Sequence, residues 1–375
     1  MTKWINRKPL KILMTTDTVG DVWSYSVELC KALQPYNVHF FLVTMGAPMQ
    51  LAQKMDIENL ENVTIYETDF LLESMESPWQ SIDASKVWLL KMADKIQPDL
   101  IHLNSFVYGA LRFKAPVIMV TQSDVFSRWK AVKGQYPPAE WNEYFKRVQE
   151  GLDQADFIVA PSKAAMNDVR KIYSTRTPGR VIYNGRSSVT FHPAQKQPFI
   201  CSVGSILDEA KNVRLLVDAA KKIPCEIRLV GDARFDDETC MTTDINLTHL
   251  GNLHSKEIAR ELAAASIYVA PAKYEPFGLS VLEAALSGCA LVLGKINSLK
   301  EIWGDSAMYV DTNDPGKLAN TINFLIENGE ARVHYARKAL NRAKNFTTSA
   351  MAFNYMQVYT TLLQSKKQFA TSQNI

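Results

Sequence analysis

Apolar and polar positions along this chain fall into two alternating textures. Through the first half, the short apolar runs LKILMTTD, VHFFLVTM, DLIHLN, APVIMVTQ and DFIVAPS are interleaved with stretches whose apolar residues recur every three or four positions, as over 25–33 and 85–96. The second half begins the alternation afresh: FICSVGS, EIRLVGD, IYVAP and ALVLG read as strands, and 212–222, 255–265 and 315–327 as helices. Strands that are apolar throughout are buried on both faces, which predicts parallel sheets covered by helices on each side. The expected fold class is α/β, with two doubly wound domains. Their join is expected within 184–198, NGRSSVTFHPAQKQP, a polar stretch with two prolines that precedes the new start at Phe199. The domains are accordingly 1–190 and 191–347. Sheets of this kind bind ligands beyond the carboxyl ends of their strands, so the cleft between the two domains is the expected active site.

One segment narrows the chemistry. In YEPFGLSVLEAALSGCALV, 274–292, Glu275 stands before a Pro-Phe-Gly turn and Glu283 lies in the apolar stretch after it. Leu279, Leu282 and Leu286 recur at helical spacing and Gly288 marks the stop, whereas Pro276 and Gly278 disfavour a helix interior. A helix starting near Leu279 leaves unpaired N–H groups at its first turn, and these attract an anion. With about 1.5 Å of rise per residue, Glu283 sits roughly one turn in. A ligand built of phosphate flanked by hydroxyl-rich groups suits this layout, because carboxylates accept from hydroxyls while the helix start takes the negative charge. A nucleotide sugar has that form. The plain alternative makes Glu275 a solvated loop residue and Glu283 an ion-paired helix residue; the strand, turn, helix, strand order around them favours the ligand.

Composition adds boundaries. The 375 residues exceed one typical core and fit two domains. With 47% apolar and 22% charged residues the chain reads as a soluble globular protein, and a net charge of +3 gives no reason to expect nucleic acid. No apolar run reaches the roughly 18 residues of a membrane helix, and the start lacks a secretory signal pattern, so a cytoplasmic location is expected. The five cysteines, Cys30, Cys201, Cys225, Cys240 and Cys289, are odd in number and scattered, as reduced thiols are. No zinc spacing occurs, and no two aspartates flank a single residue, so no metal site is expected.

On these residues the chain resembles the retaining glycosyltransferases of family four, with the GT-B architecture of two Rossmann-like domains. The similarity is carried by EPFGLSVLEAALSGCALV, and further by VGSILDEAKN, LVGD, LGNL, VIYNG and SLKEIWGDSAMYVDTNDPGKLA. The resemblance implies transfer of a sugar from a nucleotide sugar to an acceptor hydroxyl, with no cofactor besides that donor. It assigns Glu283 to the ribose hydroxyls, Glu275 to the donor sugar, the backbone at Phe277, Gly278, Leu279 and Ser280 to the diphosphate, and Gly251, Asn252 and Leu253 to the neighbourhood of the base. Lys211 would neutralise charge on the leaving diphosphate. A fixed cation and helix-start donors can do this without a metal. Gly20 would approach the diphosphate or the acceptor. The last helix, 348–375, would return to the first domain.

Three positions depart from the family pattern: Ser205 stands near a usual arginine, Asp21 replaces the second glycine of a Gly-Gly pair, and Gln122 replaces a histidine near the reacting sugar. Gln122 still donates hydrogen bonds but does not titrate near neutral pH. These departures motivate the alternative of a catalytically weak or inactive binding subunit. An epimerase or hydrolase on the same architecture is a further one. Asp17, His102 and Asn104 end strands on the side of the expected cleft and are candidates for the acceptor, a structural histidine being the competing reading of His102. The segment FSRWKAVKGQYPPAEWNEYFKR mixes cations and aromatics; it fits a peripheral membrane contact at the inner face or a lipid-linked acceptor, and also fits long side chains lying over apolar surface. Neither oligomeric state nor acceptor identity is encoded in these patterns.

Overall fold

The computed structural model describes residues 8–232 and 246–372, the side chains of 367–372 excepted. Two compact units are present: Met1–Ser127 with Tyr136–Asn184 and Thr348–Ile375, and Arg128–Gln135 with Gly185–Thr347.

The first unit is built on β1 (Leu10–Asp17), α1 (Asp21–Leu33), β2 (Val38–Met45), α2 (Leu51–Ile57), β3 (Val63–Tyr66), α3 (Trp79–Ile96), β4 (Leu100–Leu103), β5 (Val117–Val120), α4 (Val125–Lys133), α5 (Asn142–Gln154), β6 (Phe157–Ala160), α6 (Lys163–Tyr173) and β7 (Gly179–Val181). Of α4, the residues from Arg128 onward belong to the second unit. All the pairings are parallel, in the order β3-β2-β1-β4-β5-β6-β7. The second unit has β8 (Gln197–Val203), α7 (Val213–Ala219), β9 (Glu226–Val230), β10 (Leu247–His249), α8 (Ser255–Ala264), β11 (Ala265–Ala270), α9 (Leu279–Leu286), β12 (Ala290–Gly294), α10 (Asn297–Trp303), β13 (Met308–Val310), α11 (Pro315–Glu327) and α12 (Gly329–Ala343). Its parallel order is β10-β9-β8-β11-β12-β13. The expected fold class is therefore found.

The apolar runs became the central strands for a physical reason. Ile12, Leu13 and Met14 of β1 are fully buried, as are Ala290 through Leu293 of β12, because helices cover both faces. The runs did not announce the edges: β3, β7, β10 and β13 are only three or four residues long, mostly half-buried, and all four are outer strands. Local signals set the helix starts. Ser162 caps α6 by accepting from the Ala165 N–H, and Asp314 caps α11 by accepting from the Lys317 N–H ahead of Pro315.

The final helix, α13 (Thr348–Ser372), packs on α1 within the first unit. Its Tyr359 hydroxyl lies 2.7 Å from His102 Nδ1, while Tyr25 Oη is 3.3 Å from His102 Nε2 and donates to Tyr355. Within the segment 126–147, Phe126 stacks on Tyr144, Phe145 stacks on Tyr173 and Arg147 lies 4.6 Å over Trp79, while Tyr136 is exposed. Among the described residues no helix is long and apolar enough to cross a membrane. Cys30, Cys201, Cys225 and Cys289 are free thiols, and Cys240 lies outside the described residues.

Candidate functional site

At the carboxyl end of the second sheet, two loops meet. The one after β8 carries Ser205 and Lys211, and the one after β11 carries Glu275 to the start of α9. Main-chain bonds join them: the N–H groups of Lys273 and Tyr274 both donate to Ala210 O, at 2.8 and 3.3 Å. Asn212 locks the pair further. It adopts a left-handed φ of 55°, and its side-chain amide donates to the carbonyls of Pro271 and Thr312 at 2.9 and 2.8 Å. Close packing of the loop requires glycine at 231, where a Cβ would stand 2.5 Å from Gly204 O.

This docking brings Lys211 Nζ to 2.7 Å from Glu275 Oε2 across 64 residues of sequence. Glu275 is 7% exposed, so its charge has lost much of its water, and a charge-assisted hydrogen bond replaces it. Its backbone is fixed as well: Ser298 Oγ donates to Glu275 O at 2.5 Å. Three residues on, Gly278 has φ 88° and precedes α9 with no side-chain cap, so the first amides of the helix are not claimed by a capping side chain. Phe277 is buried and packs edge-on against Phe346, ring centroids 5.7 Å apart, which holds the turn from beneath. Leu279 is buried and Ser280 half-buried. Glu283, also buried, pairs with Arg186, whose Nε donates to Oε1 at 2.7 Å.

The chain order of the other expected donor residues is explained locally. Ser205 Oγ donates to Asp232 O at 3.1 Å and accepts from the Leu207 N–H, which closes the turn where an arginine was the family expectation. Gly251 has φ 70°, and its carbonyl accepts from the Gly231 N–H; Asn252 is exposed and Leu253 half-buried beside it.

In the first unit, Asp17 ends β1, and Asn104 and Gln122 follow the adjacent strands β4 and β5, all at the carboxyl end of their sheet. Asp17 Oδ1, Asn104 Oδ1 and Gln122 Nε2 are all shielded from solvent without a hydrogen-bond partner. Asp17 is half-buried; desolvation, with the nearby Glu73 carboxyl adding to it, pushes its carboxyl up to about 8. Glu73 accepts from the Phe106 N–H at 2.9 Å, and burial outweighs that bond, raising it to about 7. Gly20 has φ 84° and leads into α1, whose first residue is Asp21. A carboxylate there suits the positive end of the helix, which accounts for aspartate in place of a second glycine. His102 differs from the acceptor expectation. It is wholly buried between Tyr25, Tyr355 and Tyr359, exposes no atom, and desolvation lowers it to about 3.

Arg186 is the participant that sequence reasoning missed. It follows the VIYNG stretch directly, but 97 positions separate it from Glu283 and no spacing rule links the two. Ser298 and Asn212 were missed as supports for the same reason.

Two family profiles cover most of the chain: Glycosyltransferase Family 4 matches residues 22–187 and Glycosyl transferases group 1 matches 188–342. A curated relative, alpha-maltose-1-phosphate synthase of Mycolicibacterium smegmatis, is 24% identical over 300 residues, spanning 69% of this chain and 75% of that protein. Among solved structures, sucrose-phosphate synthase from Thermosynechococcus elongatus superposes with TM-score 0.80 at 18% identity, covering 96% of this chain and 100% of that one. Anabaena HepE in complex with UDP-glucose gives TM-score 0.74 at 18% identity over 94% and 99%. At such identities the likeness to solved structures is one of fold. The profiles, together with the docked loops around Glu275 and Glu283, decide the family: the chain belongs to the family-four, group 1 glycosyltransferases, enzymes that take a sugar from a nucleotide sugar.

Proposed function

We propose that the chain transfers its sugar to an acceptor hydroxyl with retention of anomeric configuration and without a metal ion. The observation that carries this reading is the Lys211–Glu275 pair beside the uncapped start of α9, with Glu283 one turn along. Transfer builds negative charge on the departing diphosphate. An ammonium ion and a set of oriented amides, already in position, stabilise that charge with little reorganisation, which is the part a divalent cation plays in other designs. In this reading Lys211 and the amides at 277–280 receive the diphosphate, Glu275 accepts from hydroxyls of the donor sugar, and Glu283 accepts from the ribose. The turn 251–253 and Ser205 border the nucleoside. HepE, of the same fold, is described in complex with UDP-glucose, which supports a nucleoside diphosphate sugar as donor.

Acceptor recognition we assign to the first unit, 1–190 with the returning 348–375, through Asp17, Gly20, Asp21 and Asn104, with Gln122 donating toward the reacting sugar; His102 drops out because it is sealed in the core. Polar side-chain atoms without partners are satisfied by hydroxyls, so a glycan, a lipid-linked sugar or a small polyol fits. We place the reaction in the cytoplasm.

Incubating the purified protein with a panel of nucleotide sugars and hydroxyl acceptors, with and without EDTA, tests the proposal. Proton NMR of the product should show the anomeric configuration of the donor, at a rate EDTA does not change. An inverted product or loss of turnover with chelator refutes the mechanism, and donor hydrolysis that is indifferent to every acceptor refutes transfer.

A further inference from the structure

We infer that Arg186 is a positioning residue for the donor nucleoside, holding Glu283 ionised and oriented so that the protein discriminates a ribose from a sugar lacking its 2′ and 3′ hydroxyls. The inference rests on the reading that Glu283 accepts from the ribose, and adds to it the group that makes the acceptance possible.

Three observations converge on Arg186. The side chains of Arg186 and Glu283 are 9% and 7% exposed, and two guanidinium nitrogens, Nε at 2.7 Å and Nη2 at 2.5 Å, address the single oxygen Oε1. The guanidinium lies 5.4 Å from the ring centroid of Phe191, itself buried, so it is held by a cation–π contact on a fixed surface. The backbone is anchored too: the Arg186 N–H donates to Phe346 O at 3.2 Å, and Arg186 bridges to Thr347. Phe346 is the ring that supports Phe277 at the start of α9. Arg186 thus meets the carboxylate one turn into α9 directly and is linked to the turn before α9 through Phe346.

The chemistry explains why an arginine is wanted. A carboxylate this deeply buried without a cation would take up a proton, and a neutral acid presents a donor where a diol needs acceptors. Pairing keeps Glu283 anionic. An ionised carboxylate only accepts hydrogen bonds, which is what the hydroxyls of a ribose require of it. Lysine would supply the charge but not the planar fork that fixes the carboxylate's rotation.

The test is calorimetric. UDP, ADP, GDP and CDP are titrated into the wild-type protein, and the tightest binder is compared with its 2′,3′-dideoxy counterpart. The wild type should prefer the ribonucleotide by at least about tenfold, and Glu283→Gln should lose most of that preference. Arg186→Met should lose it as well, while binding the dideoxy form within about twofold of wild type; a merely structural lesion would weaken both forms together. Arg186→Lys should recover part of the preference. Should Arg186→Met fail to fold, the neutral pair Arg186→Met/Glu283→Gln replaces it, and it should match Glu283→Gln alone. If Glu283→Gln loses the preference and Arg186→Met keeps it, the inference is overturned and the ribose reading stands. If Glu283→Gln keeps it, or none of the four diphosphates binds, the underlying reading falls and takes the inference with it.

Discussion

Gly20 and Gly278 open helices in the two units in similar ways, yet their surroundings manage buried acid by opposite means. Each follows a central strand of a parallel sheet, has positive φ (84° and 88°), and leads into a helix without a side-chain cap. On the Gly278 side the acids are matched with cations, Glu275 with Lys211 and Glu283 with Arg186. On the Gly20 side Asp17 and Glu73 are matched with no cation close enough to offset desolvation; they are pushed up to about 8 and about 7, so near neutral pH they hold protons to a large extent. Both arrangements keep net buried charge low. They differ in what they can do: a paired ammonium stands ready to meet charge that appears during a reaction, whereas a protonated carboxyl offers only hydrogen bonds. In the proposed function, the contrast corresponds to charge stabilisation by the second unit and neutral polar recognition by the first.

The hardest blow to that contrast is Lys211→Ala. If the ammonium meets charge developing on the diphosphate, kcat should fall by about 10²–10³, the range typical of losing one such group, with the donor KM changed only a few-fold. Steady-state kinetics with the donor found in the panel gives the number. A change below about threefold would mean that the Lys211–Glu275 pair is structural and the contrast between the units is empty. Next in size comes the glycine pair. A Cβ at 278 would meet Val281 Cγ2 at 3.0 Å and Glu275 Cγ at 3.2 Å, whereas at 20 it would meet nothing within 4 Å. Both alanine variants carry the positive-φ strain of about 1–2 kcal/mol. Gly278→Ala must in addition displace Glu275, so its kcat/KM should drop about tenfold further than that of Gly20→Ala, while thermal unfolding shows losses of similar order in both. Equal kcat/KM losses would show that Glu275 tolerates displacement and is not a precisely held sugar ligand.

What the sequence revealed follows the same division. The central strands were legible because burial on both faces leaves an apolar run, as in Ile12 to Met14 and ALVLG, and α9 was legible because Gly278 and Gly288 bracket its apolar repeat. The outer strands were not, since β7, with sequence GRV, and β10, with sequence LTH, are partly exposed and too short for a period to show. In the site, Glu275 and Glu283 stood out because the turn and helix between them are local. Their cations differ: Lys211 was reached through the motif around it, whereas Arg186 belongs to the opposite end of the unit's sequence and is joined to Glu283 only by folding. His102 misled for a related reason. Its place at a strand end predicts a mouth-facing side chain, but Tyr355 and Tyr359 of α13, more than 250 residues later, cover it.

His102, a polar group sealed in the core of the first unit, supplies the finest test. Desolvation lowers it to about 3 from an ordinary 6.5, so the folded protein carries it neutral while the unfolded chain protonates it below about 6.5. The stability it permits is complete above 6.5 and is lost progressively as pH falls toward 3. Between 6.5 and 5 the unfolded chain holds about one more proton at this site, which amounts to about 2 kcal/mol. Asp17 and Glu73 pull the other way, since their raised values make the folded unit bind protons that the unfolded chain has released, so the overall profile of the wild type is blunted. A difference between proteins isolates the histidine. His102→Asn keeps a hydrogen-bonding group near Tyr359 and cannot titrate; it should be less stable than wild type at pH 7, with the gap narrowing by about 2 kcal/mol in urea unfolding repeated at pH 5. A gap that stays constant with pH would mean that His102 takes up its proton in the folded state, which requires water or a ligand to reach it and would return it to the acceptor side of the molecule.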